Sequence, residues 1–169
     1  MTKVSIYVGT YHKYNCGSLQ GQWVDLDQFS DLSGFYCFIR NLHADEEDPE
    51  FMFQDYECPK LIDVMGLISE CHLSDSIYEV IEEIENSDYE YEVLEAYAES
   101  FDTCSDITEL ISKVQDCYMG EYTSDVDFCQ EFVEVPENLS SIIHIDWEGT
   151  ARDFMTYYGS FNQHYFHSS

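Results

Sequence analysis

Apolar and polar positions change their period several times along the chain. The stretch KVSIYVGTY, Lys3 to Tyr11, is rich in β-branched and aromatic residues and partly alternates, which predicts a strand. Turn chemistry at Asn15, Gly17 and Gly21 follows, and Gln22 to Leu26 then predicts a second strand, returning in a hairpin with a long loop. From Asp31 to Leu42 the period shifts to 3.6: Phe35, Phe38, Ile39 and Leu42 share one face of an expected helix. Phe51 to Tyr56 predicts a third strand. A β-β-α-β unit over residues 1–60 results, with Cys58, Pro59 and Lys60 at its boundary.

Residues 61–103 read as wholly helical. Leu61, Val64, Met65 and Ile68 share a face, and Ser76-Ile-Tyr-Glu79 has the form of a capping box. That box would open a helix from Ile77 to Glu85, buried through Ile77, Val80, Ile81 and Ile84, and Glu90 to Phe101 repeats the pattern through Val93, Leu94, Tyr97 and Phe101. Residues 104–169 begin with a cap, Asp106-Ile-Thr-Glu109, before a helix through Leu110, Ile111 and Val114. A helix after Ser124 turns Phe128 and Phe132 inward, Ser140 to Ile145 fits strand or helix, and Asp146 to Phe154 is helical. The aromatic tail Tyr157 to Phe161 predicts an edge strand. The expected class is α+β in three small domains: 1–60, a helical middle over 61–103, and a C-terminal α+β domain over 104–169.

Charge changes this picture most. Thirty-five Asp and Glu face six Lys and Arg among 169 residues, a formal net of -29. Such a surface repels nucleic acid and anionic lipid and attracts basic proteins or cations. It also opposes folding, since two carboxylates about 6 Å apart in water repel by roughly 0.7 kcal/mol before screening. Dozens of such contacts compete with a net stability of about 5–15 kcal/mol. Solubility alone asks for a net charge of only about 2–8. Apolar residues at 44% and aromatics at 16% nevertheless provide a packed core and exclude charge-driven disorder.

The seven cysteines stand singly at 16, 37, 58, 71, 104, 117 and 129, without a Cys-x-x-Cys pair, and several lie in apolar stretches such as Phe35 to Ile39. That pattern implies small hydrophobes in a reducing cytoplasm rather than disulfides. The start lacks the apolar core of a signal peptide, and no run of about 18 apolar residues occurs, so an intracellular, non-membrane protein is expected.

The densest acidic stretch is His43 to Glu57, where Asp45, Glu46, Glu47, Asp48, Glu50, Asp55 and Glu57 occur with no basic residue. An EF-hand loop started at Asp45 would need Gly sixth and Glu twelfth, and finds Glu50 and Tyr56. Cys71 and His72 are adjacent, so their side chains diverge, and no second pair stands at zinc-finger spacing; His12, His43 and His144 are isolated. Asp25 and Asp27, as alternate strand residues, would share a face, but six scattered cations make no phosphate-binding groove, and no nucleophile elbow or phosphate loop is present. No catalytic residue, cofactor or metal ligand is therefore expected.

Mimicry of a polyanion accounts for the surplus. Acids three or four apart on a helix stand about 5–6 Å apart at Cβ, and B-DNA carries about one charge per 1.7 Å. The helix faces Glu79, Glu82, Glu83 and Glu92, Glu95, Glu99, with Asp102, Asp106 and Glu109 beyond them, approach that density. Two copies end to end would carry about 58 charges, matching roughly 100 Å of duplex. A divalent-dependent enzyme using clustered carboxylates and an acidic, chaperone-like binder of basic proteins stay open as alternatives.

Short motifs spread from about residue 4 to 158 resemble the ArdA antirestriction proteins. They are Tyr7-Val-Gly-Thr-Tyr11, Lys13-Tyr-Asn15, Gly21-x-Trp23, Leu42-His-Ala-Asp45, Phe53-Gln-Asp-Tyr-Glu57, Tyr118-Met-Gly-Glu-Tyr122 with Asp127-Phe128, and Ala151-Arg-Asp153. The tract Leu110 to Glu121 lies where that family carries its antirestriction motif; Tyr118, Gly120 and Glu121 agree with it, and Lys113 stands where an acid is expected. The resemblance implies an elongated, three-domain subunit that pairs as a homodimer and imitates bent DNA. It implies occupation of the DNA groove of type I restriction-modification enzymes, blocking restriction and often modification. Carriage on a plasmid or conjugative transposon, action in the cytoplasm of the recipient bacterium, and a dimer contact involving Leu110, Val114, Tyr118, Gly120 and Glu121 follow from the same resemblance.

Because repulsion among carboxylates works against folding, the thermal midpoint should rise as sodium chloride is added at neutral pH. A midpoint that stays flat across a salt series would contradict that charge cost.

Overall fold

The computed structural model describes residues 3–101, 106–136 and 143–168. They fold as two compact units, 1–88 and 89–169, each mixing helix and sheet, so the class is α+β. The stretch expected to be a helical middle is shared between them, since the break falls between Asp88 and Tyr89.

In the first unit β1 (Ser5–Thr10) is the central strand of a three-stranded antiparallel sheet, between β2 (Gln22–Asp25) and β3 (Phe51–Glu57). Between β1 and β2 lies a one-turn helix, α1 (Tyr11–Asn15), inside the stretch expected to be turn; Thr10 caps it by accepting from the Lys13 N–H at 3.2 Å. The helix α2 (Leu32–Leu42) begins where Asp31 accepts from the Gly34 N–H at 2.8 Å. Its fully buried Phe35 and Ile39 lie with Ile6, Val8, Val24 and Leu26 in one core. Cys37, expected to be a small buried hydrophobe, is exposed, because its helical position faces away from Phe35 and Ile39.

The register of β1 on β3 shifts after Tyr7, which pairs with Asp55 while Val8 pairs with Phe53. Gln54 is the extra residue of this bulge. It resets the alternation so that Phe53 is buried and Asp55 and Glu57 both face solvent.

The first helix expected after residue 60 is much shorter than its apolar spacing suggests. α3 (Lys60–Val64) ends at Gly66, whose φ is +67°. The Gly66 N–H donates to Asp63 O at 2.8 Å and the Leu67 N–H to Ile62 O at 3.2 Å, the paired bonds of a Schellman stop. A two-residue hairpin replaces the continuing helix: β4 (Ile68–Ser69) pairs with β5 (His72–Leu73). Its tip is fastened to the sheet, the Phe53 N–H donating to Glu70 O at 2.7 Å. α4 (Ile77–Asn86) follows, with Ile77, Val80 and Ile84 buried and Ile81 only half-buried. The capping box does not form: Ser76 makes no cap bond, its hydroxyl lying instead 2.9 Å from that of Ser74.

The second unit opens with α5 (Tyr91–Phe101) and α6 (Ile107–Cys117), the latter capped by Asp106 accepting from the Glu109 N–H at 2.9 Å. Then come β6 (Tyr118–Glu121), α7 (Asp125–Phe132), α8 (Trp147–Phe154), β7 (Tyr158–Phe161) and β8 (His164–His167). The sheet order is β6-β8-β7, so β7 is an edge strand as expected, and β6 and β8 add to the expectation. The β7–β8 turn is the two-residue Asn162-Gln163, both with positive φ. Phe128 centres the aromatic core: it stacks on Tyr165 at 4.5 Å and meets Tyr122 and Tyr158 at 5.0 Å and Phe132 at 4.9 Å. Phe132, expected to point inward, is 39% exposed at the helix end. Of the Ser140 to Ile145 stretch, residues 140–142 lie outside the described residues and 143–145 are neither helix nor strand.

Phe128→Ala should destabilise the protein by about 3–5 kcal/mol in urea unfolding, because it empties the middle of a packed cluster. Phe132→Ala should cost far less; equal losses would mean that Phe128 is not the centre of this core.

Candidate functional site

The expected acidic site residues come from several elements, and every described one has solvent access. Asp45, Glu47, Asp48 and Glu50 are exposed in the link between α2 and β3, and Glu46 there is half-buried. Asp55 and Glu57 project from the outer face of β3, in register with Tyr7 and Ser5. On the far side of β1 the same two residues pair with Trp23 and Asp25. That face thus carries a Tyr7–Trp23 edge contact at 5.5 Å beside three carboxylates. Asp25 and Asp27 do not form the strand pair that alternation suggests, because β2 ends at Asp25 and Asp27 lies in a 3-10 turn over Leu26–Gln28. The Asp25 carboxylate accepts from the Ser5 hydroxyl and from Gln28, and Lys3 stands 3.8 Å away; the Ser5 bond first, and Lys3 with it, hold its pKa below the usual carboxylate range.

On α4, Glu79, Glu82 and Glu83 are exposed opposite the buried stripe, three and four residues apart. On α5, Glu92 and Glu99 are exposed and Glu95 half-buried, outside the core positions Val93, Leu94, Tyr97 and Ala98. Neither helix carries a Lys or Arg. Asp102 lies outside the described residues. Asp106 and Glu109 are exposed at the start of α6, where Glu109 pairs with Lys113 four residues on at 2.7 Å. Lys113, the departure from the family pattern, thus neutralises one acid of the expected track; an exposed pair of this kind contributes little to stability.

Leu110 and Val114 are fully buried in the second unit's core. Tyr118 is half-buried at the start of β6, its hydroxyl 2.9 Å from His164 Nδ1 and its ring 5.4 Å from Phe166 and 6.0 Å from Tyr89. Gly120 has a φ of +121° where the register on β8 shifts, a conformation that side chains disfavour. Glu121 projects to solvent opposite His164.

One constellation has no counterpart in the sequence pattern. Lys13 of α1 reaches into the acidic link with its side chain only 12% exposed, and its Nζ lies 2.9 Å from Asp45 Oδ1, 3.4 Å from Glu46 Oε1 and 2.9 Å from His43 Nδ1. The Thr10 hydroxyl donates to the same Glu46 oxygen at 2.7 Å, and His43, buried, has Nε2 3.4 Å from Val8 O. Burial works against the Lys13 ammonium, but its bonds to Asp45 and Glu46 outweigh that and raise its pKa. The bond from Lys13 holds Asp45 low. His43, expected to be isolated, is pushed below its usual value, first by burial and then by the Lys13 charge. His43, Asp45 and Glu46 are also the described side chains that converge closely enough to hold a metal ion. Here the ammonium of Lys13 bonds all three, so the protein supplies its own cation. Nothing in the spacing announces this: Lys13 lies thirty residues before His43.

A family model described as Antirestriction protein (ArdA) matches residues 6–167. The chain belongs to the ArdA antirestriction protein family. Comparison with curated proteins gives no match. ArdA proteins are antirestriction factors rather than enzymes. Burial, with Asp63 adding to it, pushes the Cys58 thiol up to about 11, and burial raises Cys117 and Cys129. Among the described residues no helix is long and apolar enough to cross a membrane.

The depressed His43 pKa has a definite sign. As pH falls through about 6.5 the unfolded chain takes up a proton that the folded one refuses, so folding loses stability until the folded pKa is passed. The stability difference between the parent and His43→Gln, measured by denaturant unfolding at pH 7.5 and 5.5, should therefore shift against the parent in acid. An unchanged difference would show that His43 titrates alike in both states.

Proposed function

We propose that this chain is a DNA mimic that occupies the DNA-binding groove of a type I restriction-modification enzyme and so blocks restriction and, often, modification. The observation that carries the proposal is the outward display of carboxylates on helices, strand and link with almost no cation between them: Glu79, Glu82 and Glu83 on α4 and Glu92 and Glu99 on α5 are all exposed. A cationic groove built for phosphates gains its affinity from counterion release, and neighbouring acids about 5–6 Å apart present it with a comparable ligand. No base edges are offered, so inhibition should be indifferent to the enzyme's target sequence. Family membership supports the antirestriction outcome.

The proposal extends to a homodimer in the cytoplasm of a recipient bacterium, encoded on a plasmid or conjugative transposon. Tyr118, Gly120 and Glu121 would shape β6 or a contact between copies, while Leu110 and Val114 hold α6 to its core. The divalent-enzyme alternative gains nothing from the carboxylates nearest His43, which already bond an ammonium.

The test is competition: titration against duplex DNA on a purified type I methyltransferase should give displacement that weakens steeply with salt and is unaffected by chelator. Neutralising one exposed acid, for example Glu83→Gln, should change inhibition by less than about fivefold, the scale of one surface ion pair. Neutralising six or more should weaken it progressively. Complete loss from a single Asp→Asn would point to a catalytic or metal site instead.

A further inference from the structure

The first unit contains a cleft of about 390 Å³ between the 3-10 turn at Leu26 and the outer side of α4. Its walls are of two kinds. Phe29, Ile81 and Tyr78 supply apolar and aromatic surface over the buried Leu26, and Asp27, Glu82 and Glu85 add three exposed carboxylates. The Tyr78 hydroxyl is already engaged, donating to Leu26 O at 2.9 Å, and this bond ties the two sides of the cleft together. Burial, with Asp31 and Asp27, pushes Tyr78 up to about 12, so its phenol stays neutral. Asp27 and Glu82 enter no ion pair among the described residues.

An occupant must satisfy both kinds of wall. A purely apolar side chain would cover Ile81 and Phe29 but leave Asp27 and Glu82 without a partner. An ammonium would pair with the carboxylates yet is strongly hydrated and gives up water reluctantly against an apolar wall. A guanidinium is planar, weakly hydrated, stacks on aromatic faces and forks onto carboxylates, and its methylene stem packs against apolar surface. We propose that this cleft seats an arginine side chain presented by the protein that the chain inhibits. The inference rests on the mimicry reading above and deepens it. Diffuse attraction brings the partner's cationic surface close, and the cleft gives one of its arginines a fixed seat.

The probe is Nα-acetyl-arginine amide, with the lysine and leucine counterparts, titrated into the full chain while backbone amide resonances are followed. Saturable shifts at Phe29, Tyr78 and Ile81 are expected for arginine, about tenfold tighter than for lysine or leucine. Ile81→Trp, which fills the cleft without altering net charge, should abolish those shifts and weaken displacement of DNA from the methyltransferase about tenfold. Ser30→Trp, at an exposed position of the same lining, serves if the first variant does not fold. Equal shifts with lysine, no saturable shift, or a folded cleft-filled variant that inhibits like the parent would each overturn the assignment. A parent chain that fails to displace DNA would instead overturn the mimicry reading, which separates the two failures.

Discussion

Repulsion among carboxylates is the constraint to which the rest of the structure answers. With a net charge of -29 the chain gains little from ion pairing, to which Lys3, Lys13 and Lys113 contribute exposed or half-buried pairs. Cohesion therefore falls to apolar burial, and here that burial is aromatic to an unusual degree. The first unit packs Phe35 against Phe29, Tyr36 and Phe53, and the second gathers five rings around Phe128. Each ring removes a large apolar area from water for few side-chain torsions, which suits a small body whose exterior works against it.

The same constraint explains why polar contacts concentrate at caps and turns rather than between charged side chains. Asp31, Asp106, Ser124 and Asp146 each accept a backbone N–H at a helix start, where a negative group is welcome. Lys13 concentrates relief where Asp45 and Glu46 come closest to a buried histidine. The acids of α4 and those exposed on α5 face water without a Lys or Arg on their own helix, which is the property a cationic groove would recognise.

Much of this is legible in the sequence. The 3.6 period places α2, α4, α5 and α6, the caps Asp31, Asp106 and Ser124 mark the starts of α2, α6 and α7, and β1, β2 and β3 fall where alternation puts them. What escaped has identifiable causes. The apolar spacing of Leu61 to Ile68 outlasts its helix because Gly66 stops it, and a single glycine is weak evidence from sequence alone. Ser76 has the spacing of a cap, but Ser74 two residues earlier engages its hydroxyl. β8 stayed hidden because its turn is Asn162-Gln163, and Gln is not the residue that usually accepts a positive φ. At the candidate site the exposure of the acids followed from their positions, whereas the Lys13–His43 contact joins segments thirty residues apart and left no periodic trace.

Both larger sheets are open, with β2 and β3 bordering one and β6 and β7 the other. β3 is fastened at Phe53 to the hairpin tip. Unpaired strand borders invite copies to add to one another and grow into aggregates unless something keeps them apart. Here long-range like charge supplies that separation, so the surplus of acid doubles as a colloidal safeguard. Mild acid or concentrated salt, by removing it, would leave bare backbone as the first place where copies stick.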